Sequence, residues 1–142
     1  WVQIKQKKFE DARKTVLLAF GRLPKEKERS VWLWTSLGIA HLNLSDYNKA
    51  KDAFLKAQEI SKIITAGFFW SAYPGNDVRS AETVFAQYKA TLSLNLGIVY
   101  EKLNELRMAE AAYNEYLSMV PEGPFPKRDE IEKRIQKLTT SN

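Results

Sequence analysis

The chain contains no cysteine, which excludes disulfides, thiolate metal sites and cysteine nucleophiles. It has one histidine, His41, so clustered imidazole ligands and histidine relays are excluded as well. No apolar stretch approaches the roughly 20 residues that a membrane-spanning helix needs. The first six residues, Trp1 to Gln6, show no apolar signal core. There is no Gly-rich phosphate loop, no serine elbow and no nucleotide fingerprint. The acids Glu110 and Glu115, and Asp129, Glu130 and Glu132, fall among basic residues at the spacing of solvated helix faces. No cofactor, metal or catalytic residue is therefore expected, and an enzyme is disfavoured. A lack of cysteine fits cytosol and periplasm equally, which leaves the compartment open.

What is present is ordinary in bulk and uneven in detail. The chain has 142 residues, 44% hydrophobic and 27% charged, enough for one domain with a core. The net charge of +5 comes wholly from residues 1–30, which carry nine Lys/Arg against four Asp/Glu; residues 31–142 carry thirteen of each. Lys5, Lys7, Lys8, Arg13, Lys14, Arg22, Lys25, Lys27 and Arg29 make up that basic set. A nucleic-acid-binding array is the function they would support. Their interleaving with acids favours a solvated helix face instead.

A phrase of five residues recurs with unchanged internal spacing. Phe9, Ala12, Val16, Ala19 and Pro24 return as Tyr47, Ala50, Phe54, Ala57 and Lys62, and again as Leu106, Ala109, Tyr113, Tyr116 and Pro121. A second phrase, Trp34, Leu37, Gly38 and His41, reappears as Ser93, Leu96, Gly97 and Tyr100. The intervals between copies differ: 38 residues from Phe9 to Tyr47, then 59 to Leu106. Rigid interiors with variable joints mark stacked supersecondary units.

Within each phrase the steps of three and four define one helix face. The spacing predicts helices over 8–21 and about 31–43, and another starting near Tyr47 after a Leu44-Ser45-Asp46 turn. Alanines at 12 and 19 would admit a neighbouring backbone. Ser45 or Asp46 would cap the helix that follows, and the turn recurs at Asn104-Glu105. Gly38 and Gly97 mark close helix crossings, with the large residues at 34, 54, 100 and 113 filling the spaces between. His41 is expected to be buried and hydrogen-bonded. The long interval predicts two lengthened helices, through Ile63 and Ile64 on one side and back to Ala81 on the other. Between them lies an aromatic tip with Asp77 as a cap. A helix near 127–138, with Ile131, Ile135 and Leu138 on one face, would screen the exposed end of the stack.

These residues resemble the tetratricopeptide repeat, a helix–turn–helix unit of about 34 residues with a W-x2-L-G-x2-Y…A-x3-F…P pattern. The middle copy supplies Trp34, Leu37, Gly38, Ala50, Phe54 and Ala57, with His41 for the usual tyrosine and Lys62 for the usual proline. The last copy supplies Leu96, Gly97, Tyr100, Ala109, Tyr113 and Pro121, with Ser93 and Tyr116 departing. The resemblance implies an all-α, right-handed superhelix of helical hairpins, one of them elongated, with a C-terminal capping helix. Its divisions would be a half repeat at about 1–26, a repeat at about 31–64 and an aromatic insert at about 65–78. A repeat with an extended first helix at about 79–122 and the capping helix at about 127–138 would complete it. Trp1 would then lie within a repeat, as in a piece of a longer array.

In that family the first helix of each repeat lines a concave groove. Here the groove would present Trp32, Thr35, Ser36, Ile39, Leu42 and Asn43, then Thr91, Leu94, Asn95 and Ile98. That surface is more apolar than charged and suits an apolar or amphipathic segment. Some members bind acidic chaperone tails through lysines, arginine and asparagines. Asn95 matches one asparagine, but Thr35, Ile39 and Thr91 stand where the clamp needs other residues, so carboxylates would be desolvated unpaired. The implied function is a non-enzymatic adaptor or assembly scaffold; a stabilising segment of a larger protein is the remaining alternative. Phe68, Phe69, Trp70 and Tyr73 in the insert would either fold back and plug the groove or form an exposed hot spot.

Overall fold

The computed structural model describes residues 2–22, 31–64, 66–71, 80–120 and 126–140, and among these every regular element is a helix. They are α1 (Val2–Arg22), α2 (Val31–Asn43), α3 (Tyr47–Ser61), α4 (Ala66–Ser71), α5 (Ala81–Lys102), α6 (Leu106–Met119) and α7 (Pro126–Thr140). Two hairpins, α2–α3 and α5–α6, stack through α3 against α5. The first helix packs on α2, and α7 on α6.

Each hairpin closes where a glycine meets a ring. A Cβ on Gly38 would lie 2.6 Å from Cδ1 of Phe54, and one on Gly97 would lie 2.5 Å from Cδ1 of Tyr113. No real Cβ tolerates such contacts, so only glycine lets these helices approach. Phe54 and Tyr113 are fully buried in return, each contributing about 1.5–3 kcal/mol of apolar burial. Ala50, Ala57 and Ala109 are fully buried beside them.

The two turns share one backbone. Ser45 (φ 64°) and Asn104 (φ 59°) adopt the left-handed conformation that ends a helix. The amide of Asp46 donates to the His41 carbonyl at 2.9 Å, and that of Glu105 to the Tyr100 carbonyl at 2.8 Å. Neither acid caps the next helix with its side chain. Ser45 or Asp46 was expected to cap α3, and no side chain does so; the Asp46 carboxylate turns to Arg13 of α1 instead, at 3.4 Å. Glu105 does the same with Lys51 of α3, at 3.1 Å. Each turn is thus tied to a helix outside its own hairpin. Such partly exposed pairs contribute up to about 1 kcal/mol each.

Three expectations change. The first helix begins at Val2 rather than near residue 8, and Ala12 is exposed, unlike its counterparts Ala50 and Ala109. Those two lie in helices that pack against the first helix of their own hairpin. The lengthening in the long interval falls on one side only. The third helix stops at Ser61, where the Lys62 and Ile63 amides bond back three residues to Glu59 and Ile60 at 3.3 and 3.0 Å. Ile63 is exposed as a result. The fifth helix has 22 residues against 13 in α2. Ser80 caps it, its side chain accepting from the Thr83 amide at 3.2 Å; Asp77 lies outside the described residues. Between the hairpins sits α4, folded onto α5. At the C-terminal end α7 buries Ile131 and Leu138. Arg128 donates to the Leu117 carbonyl at 3.1 Å, and Arg134 lies 3.5 Å from Glu101.

Candidate functional site

An open cleft of about 360 Å³ lies between α2 and the N-terminal half of α5. Trp32, Thr35, Ser36 and Ile39 form one wall; Val84, Gln87, Tyr88 and Thr91 form the other. Both walls follow the same i, i+3, i+4, i+7 stripe, the side-chain spacing of a single helix face.

An aromatic cluster underlies the cleft. The Phe69 ring of α4 is fully buried, 4.5 Å from the Trp32 ring, 4.7 Å from Phe85 and 5.0 Å from Tyr88. Trp32 and Tyr88 are 5.1 Å apart. The Tyr88 hydroxyl donates to the Val31 carbonyl at 3.2 Å, so the hydroxyl of Thr35, also bonded to it, donates to the phenol oxygen. Burial pushes the Tyr88 phenol up to about 12, the Thr35 bond partly opposing it. It therefore stays a neutral hydrogen-bond donor, fixing α2 to α5 across the base of the cleft. Lys89 Nζ sits 4.5 Å over the Phe85 ring.

Of the ten groove residues expected from the sequence, the structure gathers Trp32, Thr35, Ser36, Ile39 and Thr91 in this cleft. The other five lie elsewhere. Leu94 is buried in the core, and Leu42, Asn95 and Ile98 are half-buried. Asn43 is exposed, with its amide donating to the Ile39 carbonyl at 2.8 Å. Of the aromatic insert, Phe69 is packed inward; the side chains of Phe68 and Trp70, and all of Tyr73, lie outside the described residues. Val84, Gln87 and Tyr88 were missed. Stepping the Thr91 stripe back by one and two helical turns would have reached them.

His41 is buried but not hydrogen-bonded as expected. Its Nδ1 has no partner within hydrogen-bond distance, and the Asp46 Oδ2 that faces it at 3.7 Å is also the atom nearest Arg13. Among the described residues no group of three His, Cys, Asp or Glu could hold a metal, and no helix is long and apolar enough to cross a membrane.

A tetratricopeptide repeat profile matches residues 33–63 and 90–122. The chain carries two tetratricopeptide repeats. Repeats of this family generally mediate protein–protein interaction and are typically non-enzymatic. No curated protein and no solved structure matches the chain. The matched segments cover α2 from Leu33, α3, and the repeat formed by the rest of α5 with α6. Trp32, Phe69, Val84, Gln87 and Tyr88 all fall outside them. Phe69 beneath the cleft and most of its α5 wall are therefore additions to the repeat, whereas Thr35, Ser36, Ile39 and Thr91 lie within it.

Proposed function

We propose that this chain is an adaptor or assembly scaffold, without catalytic activity, that binds an apolar or amphipathic protein segment in the cleft between α2 and α5. The observation carrying this reading is the composition of the cleft: none of its eight lining residues is charged. An aromatic base with hydroxyl and amide groups at its edges accepts a side-chain anchor, while those groups orient the segment's backbone. A charged tail would leave its carboxylates desolvated there without a cation. Ile39, 41% exposed on the cleft wall, is the anchor's nearest open apolar contact.

The test is selection of a random peptide display library on the immobilised chain, followed by titration of the recovered peptides. Apolar anchors should dominate the recovered sequences. Ile39→Glu should weaken binding by ~10-fold or more, the scale of a residue worth over 1 kcal/mol at an interface. Met108→Glu, at a comparably exposed site on α6, should leave it unchanged. Equal losses from both variants would remove the cleft from consideration.

A further inference from the structure

The two inter-hairpin ties differ at one position. Around Asp46 stand Arg13 of α1 and the buried His41 of α2; around Glu105 stand Lys51 of α3 and the buried Tyr100 of α5. The pairs correspond residue for residue through the repeat spacings of 38 and 59. Only the first contains a group that takes up a proton in mild acid.

We propose that Arg13, Asp46 and His41 form an acid-sensitive latch, in which protonation of His41 draws the Asp46 carboxylate away from Arg13 and releases α1 from the α2–α3 hairpin. The geometry supports this at each point. One carboxylate oxygen faces both groups, 3.4 Å from the Arg13 guanidinium and 3.7 Å from His41 Nδ1. Nδ1 is sealed from solvent with no other acceptor, so a proton arriving there has Asp46 as its natural partner. Closing that 3.7 Å gap moves the shared oxygen relative to Arg13 and places a second positive charge beside the guanidinium. Arg13 keeps Glu10 of its own helix, at 3.6 Å, as an alternative partner. Among the described side chains of α1, Phe9 and Arg13 are the half-buried ones, so the Asp46 contact is one of the described points where α1 meets the hairpin.

The charges bearing on His41 are Asp46 in the turn, Arg13 on α1 and Lys49 on α3. Burial lowers the imidazole below its ordinary 6.5, Asp46 opposes this, and Arg13 and Lys49 add to it. The sign follows. A histidine lowered by folding favours the closed, neutral state, so docking is intact above the ordinary value. It weakens as the pH falls through 6.5 toward the folded value. Tyr100, raised by its own burial, is neutral throughout that window.

The experiment is amide hydrogen exchange on the full chain at pH ~7 and ~5, corrected for intrinsic exchange rates, with an NMR titration of the lone imidazole alongside. Opening of α1 should rise by up to about tenfold for each unit by which docking of α1 lowers His41, while α6 protection stays constant. His41→Tyr, which copies Tyr100, should abolish the pH response. Arg13→Gln should raise the imidazole's titration point and leave α1 equally open at both pH values. A wild-type ratio of α1 to α6 exchange that does not change with pH overturns the proposal even if the variants fail to fold. A full pH response retained in His41→Tyr overturns it too.

Discussion

The two hairpins are alike where they are apolar and different where they are polar. Gly38 against Phe54 and Gly97 against Tyr113 are the same crossing, and both rings are fully buried. The polar additions diverge. Tyr113 adds a hydroxyl that donates to Glu101 at 2.8 Å, and burial and this carboxylate raise its phenol; Phe54 has no such handle. The tyrosine site of the second turn holds His41 in the first. The first helices differ too, since α5 carries two and a half turns that α2 lacks, and these build a cleft wall. Packing requirements hold the repeats alike, while the groups that respond to solvent, charge or a partner are free to vary.

The comparison breaks most visibly at the rings. Phe54→Ala and Tyr113→Ala should each cost about 3–5 kcal/mol, a truncation leaving a cavity in a core that cannot collapse around it. Urea denaturation monitored by circular dichroism would give both values. Similar losses support two equivalent crossings; a loss under about 1 kcal/mol at either site would show that one hairpin does not depend on its ring.

The glycines sharpen the same point. Alanine in a helix interior gains about 1 kcal/mol over glycine, so Gly38→Ala and Gly97→Ala would stabilise an open helix. Here each added methyl overlaps a fully enclosed ring, and a net cost of about 1–3 kcal/mol is expected from overpacking. A rise in melting temperature for either variant would mean that its crossing is loose.

These crossings were legible in the sequence because they rest on spacing and residue size. The turns were legible for the same reason, as was the capping helix with Ile131 and Leu138 buried as one face predicts. Polar roles were less so. Asp46 occupies a cap position, but Arg13 comes from another helix 33 residues away, and no local rule weighs that distant charge against a nearby amide. The long interval was misjudged because Ile63 and Ile64 continue the apolar period after backbone bonding has ended the helix. Half of the expected groove was gathered into the cleft, since Trp32, Thr35, Ser36 and Ile39 form a stripe within one short helix. Val84, Gln87 and Tyr88 depend on how far α5 extends past its repeat and how α4 seats Phe69, which are tertiary facts.

The smallest effect separates the two ties. Lys51→Met and Arg13→Met should each cost no more than about 1 kcal/mol, as partly exposed ion pairs do, and thermal melts at low and high salt would measure them. Added salt should shrink both costs. A loss of several kcal/mol at Arg13 would mean that the pair carries far more of the α1 docking than an exposed ion pair supplies.

If the cleft binds as proposed, the segments added around the repeats complete a surface that α2 begins. Amide chemical-shift mapping with a display-selected peptide tests it most directly. Perturbations should concentrate in residues 31–39 and 81–91, along both walls of the cleft. Shifts confined to α3 and α6, with those two segments silent, would contradict it.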